Sequence, residues 1–105
     1  MGSGGDGTIF TMTTNGVLTS LFSFNGTNGA NPWASLTLGN DGSFYGTTAW
    51  GGSSNSGTVF KMTTSGTLTT LVSLSSTNGA NPGAALTLGN DGNFYGTTWQ
   101  GGSGN

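Results

Sequence analysis

A repeat of fixed length constrains this chain more than any other feature. Residues Gly7–Gly52 align without a gap on Gly57–Gly102, at an offset of 50, and 32 of the 46 aligned positions are identical. Thr-Asn-Gly-Ala-Asn-Pro recurs at Thr27–Pro32 and Thr77–Pro82, and Leu-Thr-Leu-Gly-Asn-Asp-Gly at Leu36–Gly42 and Leu86–Gly92. A period of about 20–50 residues is the mark of a solenoid, a propeller or an array, in which one unit cannot bury its apolar face alone.

Each unit holds four short strand-like runs. Thr58–Thr63 and Thr67–Leu74 flank Thr64-Ser65-Gly66, and Ala84–Leu88 and Asn93–Thr98 flank Gly89-Asn90-Asp91-Gly92. Asn-Asp-Gly suits a type I turn closed by a left-handed glycine, which has no Cβ to clash. Thr, Val, Phe and Tyr favour a pleated surface, and no window carries a sustained helical period. The expected fold class is therefore all-β, built of four-stranded antiparallel meanders, two repeats per chain. Such a meander is the description of a propeller blade. Blades pack through both faces, so strict alternation should blur. It does: Leu18, Phe22 and Phe24 fall on one parity with Leu21 on the other, and Phe10 and Met12 oppose Ile9.

Composition excludes several functions. There are 105 residues, 22 of them Gly, no Cys and no His, and the charged groups are Asp6, Asp41, Asp91 and Lys61. One cation cannot neutralise a run of phosphates, so nucleic acid is not an expected partner. No apolar run approaches the ~20 residues of a spanning helix, so no membrane partner is expected either. Acid–base and nucleophilic catalysis want His, paired carboxylates, Cys or a Ser with a base, so no enzyme and no cofactor are expected. Asp41 and Asp91 read first as turn formers. A metal there is the weaker alternative, because hard cations want six or more oxygens. Gly2, Gly4 and Gly7 match the spacing of a dinucleotide fingerprint but precede a strand, so they read as loop.

Gly57-Thr-Val-Phe-Lys-Met-Thr63, Leu68-Thr-Thr-Leu71 and Asp91-Gly-Asn-Phe-Tyr-Gly-Thr-Thr98 resemble the tandem repeat of Gloeobacter and Verrucomicrobia surface proteins, and the resemblance covers both units. The order of Pro, small-apolar strand, Asp-Gly turn, aromatic strand and Gly-rich loop also resembles propeller repeats of the NHL type. The resemblance implies a propeller fold and an extracellular or cell-surface setting, although no signal segment is visible and the compartment stays open. In an NHL-like blade the strand after Pro is innermost. That order divides the chain into a Gly-rich segment 1–7, an outer half-blade 8–24, a linker and complete blade 25–75, a linker and inner half-blade 76–98, and a Gly-rich tail 99–105.

Both ends are then half-sheets with bare edges, and a bare edge is a template for pairing. A small Gly-rich core barely offsets the chain entropy it must overcome. The expected partner is therefore a second copy, joined head to tail along a seam of Thr8, Ile9, Phe10 and Met12 against Phe94, Tyr95 and Thr97. Four chains giving eight blades is the preferred ring, with trimers or pentamers as alternatives. The Gly-rich stretches Gly2–Gly7 and Gly101–Asn105 would together cover the loop that Gly51–Gly57 forms inside the chain. The runner-up function is a lectin-like propeller. Trp33, Trp50 and Trp99 would stack on a saccharide, and loop polar groups such as Asn31 and Asn81 would take its hydroxyls.

Overall fold

A computed structural model describes residues 6–75 and 79–101. It is all-β, with eight strands and no helix among the described residues: β1 Thr8–Met12, β2 Leu18–Ser23, β3 Thr37–Leu38, β4 Phe44–Thr48, β5 Thr58–Met62, β6 Leu68–Ser73, β7 Thr87–Leu88 and β8 Phe94–Tyr95. They form three antiparallel sheets: the hairpin β1–β2, a four-stranded meander in the order β3-β4-β5-β6, and the pair β7–β8. The sheets stack without closing into a barrel or ring within the chain. Most of the Gly-rich segments expected to cover the seam lie outside the described residues.

Local chemistry sets the hairpins. In the turn between β5 and β6, Gly66 N donates to Thr63 O at 3.0 Å and Thr63 N to Thr67 O at 3.0 Å. Gly66 has φ +97°, which a side chain would resist. The Asn-Asp-Gly turns behave as their residues predict: Gly42 has φ +82° and Gly39 N donates to Ser43 O at 2.8 Å. The connections between sheets also repeat their geometry. Asn31 N donates to Asp6 O and Asn81 N to Ser56 O, both at 2.7 Å. Both asparagines sit in the left-handed region, at φ 57° and 60°.

Two features depart from the sequence expectation. Pairing shifts by one residue between Ile9 and Phe10, and again between Val59 and Phe60, so Leu21 and Leu71 are extra residues in their strands. A bulge of this kind flips the parity of the residues beyond it. Leu21 and Phe22 accordingly pack on the same core, not on opposite faces as simple alternation suggests. The innermost strands are also shorter than the expected Ala84–Leu88, with β3 and β7 pairing through two residues each.

Ile9, Phe24, Phe60 and Met62 form the buried core, where β1–β2 meets one face of the central sheet. Phe24 and Phe60 lie 5.5 Å apart between ring centroids. The other face of that sheet meets β7–β8, with Tyr45 4.3 Å from Phe94. Thr37 Oγ1, on β3, donates to Leu86 O at 2.6 Å and ties the inner strands together.

Candidate functional site

The identical pentapeptide Phe-Tyr-Gly-Thr-Thr occurs at residues 44–48 and 94–98. At the first position all five residues are strand, paired with β5 from Phe44↔Met62 to Thr48↔Thr58. At the second position only Phe94 and Tyr95 are strand, paired with β7 alone. The five residues themselves cannot cause the difference, because they are the same. The cause is the missing outer neighbour: β4 has β5 on that side and β8 has no strand among the described residues. Past Tyr95 the backbone therefore has no second ladder among the described residues to extend the strand.

Burial obeys the same rule. Thr47, Thr48 and Gly46 are buried, whereas Gly96, Thr97 and Thr98 are exposed. Inside the sheet, Thr48 Oγ1 and Thr58 Oγ1 lie 2.8 Å apart, and Thr58 N donates to Thr48 Oγ1 at 3.1 Å. Thr98 keeps only the local bond of that set, donating to Gln100 O at 3.2 Å, as Thr48 does to Trp50 O at 2.9 Å. The opposite end of the chain mirrors this. Phe60 and Met62 are each 1 % exposed, while their repeat equivalents Phe10 and Met12 are 55 % and 58 % exposed. Thr8 is half-buried and Ile9 lies in the core.

Between the central sheet and β7–β8 runs an apolar hollow of about 350 Å³, walled by Val59, Leu71, Val72, Leu74, Leu86 and Phe94. Tyr45 and Thr47 also line it. Thr47 Oγ1 is buried there without a hydrogen-bond partner among the described residues.

The aromatic candidates gather elsewhere. Trp50, Trp99, Asn81, Ser56 and Gln100 line a second hollow of about 550 Å³. Trp33 leans on Trp99, with ring centroids 5.8 Å apart and planes tilted by 41°. Glycine at 83 makes this possible, because a Cβ there would run into the Trp99 ring. The two rings stay 56 % and 69 % exposed. Asn81 belongs to the wall as a structural residue: it is buried, and its Nδ2 donates to Ala49 O at 2.8 Å. Asn31 is half-buried and does not line this hollow.

The carboxylates act inside their turns. Asp41 Oδ1 accepts from Ser43 N at 3.0 Å and Oδ2 from the Tyr45 hydroxyl at 2.6 Å, with Lys61 Nζ at 3.3 Å. These bonds, the Tyr45 hydroxyl first, hold the Asp41 pKa down at about 2. The carboxylate in turn raises the pKa of Tyr45 and of Lys61. Asp91 repeats the arrangement with Asn93 N at 3.0 Å and Tyr95 at 2.6 Å, and its pKa is lowered chiefly by that hydroxyl. No cation joins it among the described residues, because the chain's single lysine, Lys61, pairs with Asp41. Among the described residues no three acidic, His or Cys side chains gather as a metal site would require.

Sequence reasoning assigns Phe94, Tyr95 and Thr97 to the seam but leaves out Gly96 and Thr98. The signal lies in their identity to Gly46 and Thr48, which both meet β5: a Cβ on Gly46 would lie 2.6 Å from Phe60 Cζ, and Thr48 Oγ1 lies 2.8 Å from Thr58 Oγ1.

The family model described as the Gloeobacter/Verrucomicrobia repeat matches residues 1–105. No curated protein and no solved structure matches the chain.

Proposed function

The chain belongs to the Gloeobacter/Verrucomicrobia repeat family over its whole length, and on that premise we propose that it is a structural module whose activity is self-assembly. Identical chains join head to tail into a β-propeller, without catalysis, each contributing one complete blade and two half-blades. Four chains and eight blades is the preferred ring. One observation carries the proposal: Gly46, Thr47 and Thr48 are buried between β3 and β5, while the identical Gly96, Thr97 and Thr98 stand exposed with β7 as the one neighbour of their strand among the described residues. A second copy supplies a neighbour for β8 and gives the exposed Phe10 and Met12 a surface to cover. A head-to-tail contact is heterologous, and it closes into a ring when the rotation fits. Size-exclusion chromatography with light scattering at micromolar concentration tests this. A closed oligomer is expected, and a folded monomer overturns it.

A second reading is favoured by the exposed Trp33–Trp99 pair beside Gln100 and Ser56. Such rings stack on the C–H faces of a saccharide while neighbouring amides and hydroxyls take its oxygens. Each chain of a ring would repeat the site and gain avidity. Tryptophan fluorescence against a glycan panel decides: quenching by one sugar class supports it, and no response to any sugar removes it.

A further inference from the structure

We infer that the hollow between the central sheet and β7–β8 is the seat of Phe10 and Met12 from a second copy. That copy's β1 adds to the free edge of residues 94–98 in one fixed register, with Thr98 opposite Thr8, Gly96 opposite Phe10 and Phe94 opposite Met12. The inference rests on the head-to-tail reading and names the contacts that reading requires.

The chain contains its own template. Moved back by one repeat, the wall residues Val59, Leu71, Val72 and Leu74 become Ile9, Leu21, Phe22 and Phe24. Those four surround Phe60 and Met62 in the core. Leu36, the equivalent of Leu86, touches the same place: a Cβ on Gly46 would lie 2.6 Å from Phe60 Cζ and 2.9 Å from Leu36 Cδ2. At Gly96 the same construction meets only Leu86 Cδ2, at 2.8 Å. Wall, glycine gap and leucine are therefore all present at the hollow. The aromatic ring and thioether that fill this arrangement in the core have their equivalents at Phe10 and Met12, which stand exposed at the other end of the chain. One chain cannot bring its own β1 there, because β1–β2 is already packed on the opposite face of the central sheet.

The register comes from β4 and β5, where Phe44 pairs with Met62, Gly46 with Phe60 and Thr48 with Thr58. Both partners of the new pairing repeat those strands, and a slip of one residue would turn Phe10 and Met12 away from the hollow.

The chain has no cysteine of its own, so the test is direct. Thr8→Cys combined with Thr98→Cys, oxidised under native conditions, is expected to give covalent multimers on a denaturing gel. Thr8→Cys with Thr97→Cys is expected to give few, because neighbouring residues face opposite ways. Gly96→Val fills the gap that Phe10 needs and should raise the concentration for half-assembly about ten- to hundred-fold. Far-UV circular dichroism of that variant should stay that of the parent at dilution, because position 96 is exposed in the single chain. An oligomer that forms without the Thr8–Thr98 crosslink, or that ignores Gly96→Val, overturns this seat and register while leaving assembly standing. A chain that remains monomeric overturns both.

Discussion

Phe60 and Phe10 occupy the same place in successive repeats, and replacing each with alanine separates the fold from the assembly. Phe60 is 1 % exposed and packs on Phe24, Ile9 and Met62. Truncating such a ring removes its transfer free energy and leaves a cavity, together about 3–5 kcal/mol. Against a total stability on the order of 5–15 kcal/mol, that is about a fifth or more of what holds a small domain together. Phe10 is 55 % exposed in the single chain. Its truncation there should cost no more than about 0.5 kcal/mol, the scale of an ordinary surface change. In an assembly where Phe10 is seated as Phe60 is, the same change should cost about 3 kcal/mol at every seam. Urea unfolding followed by tryptophan fluorescence, run at two protein concentrations a hundred-fold apart, reads both effects. Phe60→Ala is expected to lower the midpoint at both concentrations. Phe10→Ala is expected to leave the dilute midpoint in place and lower the concentrated one. If Phe10→Ala matches the parent at both concentrations, the β1 face covers nothing and the reasoning fails. A near-neutral Phe60→Ala would equally refute the assignment of the core.

Other contacts give further expected outcomes. Asn81→Ala removes the bond to Ala49 O and places alanine at φ 60°. The loss in urea titration should be about 2–4 kcal/mol, of which Asn81→Gly recovers about 1 because glycine accepts the left-handed backbone. Gly57 has φ +104°, and a Cβ there would press on Thr48 O and lie 2.7 Å from Pro82 Cδ. Gly57→Ala should therefore cost more than about 3 kcal/mol, read as a fall in the thermal midpoint. The Asp41 pKa lies near 2 in the fold against an ordinary 3.8. A depressed carboxyl stabilises fully above its unfolded value, and its contribution fades as pH falls from there through about 2. Thermal midpoints at pH 5, 3 and 2 should fall for the parent, and less steeply for Asp41→Asn. Thr11→Lys should recreate across the seam, with Asp91 of a second copy, the Lys61–Asp41 pair found inside the sheet. Assembly should tighten at low salt, and the gain should vanish at high salt.

What the residues disclose on their own is mostly local. Asn40-Asp41-Gly42 and Thr64-Ser65-Gly66 fix their turns through one glycine each, so hairpin positions are legible without tertiary context. The all-β class rests on them. The bulges at Leu21 and Leu71 are not legible, because nothing in Ser20-Leu21-Phe22 says which residue goes unpaired. The end of β8 escapes for a different reason: a strand's length depends on its neighbour, and Asn93–Thr98 reads as strand only if one is supplied. The Trp33–Trp99 contact spans two repeats and needs the packing to reveal it. One trace exists, an exchange of bulk in which Trp33 and Ala49 in one repeat become Gly83 and Trp99 in the next. Asn81 looks like a loop residue free for ligand, and only the fold turns its amide inward to Ala49.

Native mass spectrometry of the intact protein bears most directly on whether half-sheets complete one another between molecules. The expected result is a single closed species at four times the 10.4 kDa chain. A spectrum holding only the one-chain mass, from a protein whose circular dichroism is that of a folded β-sheet, would contradict the account.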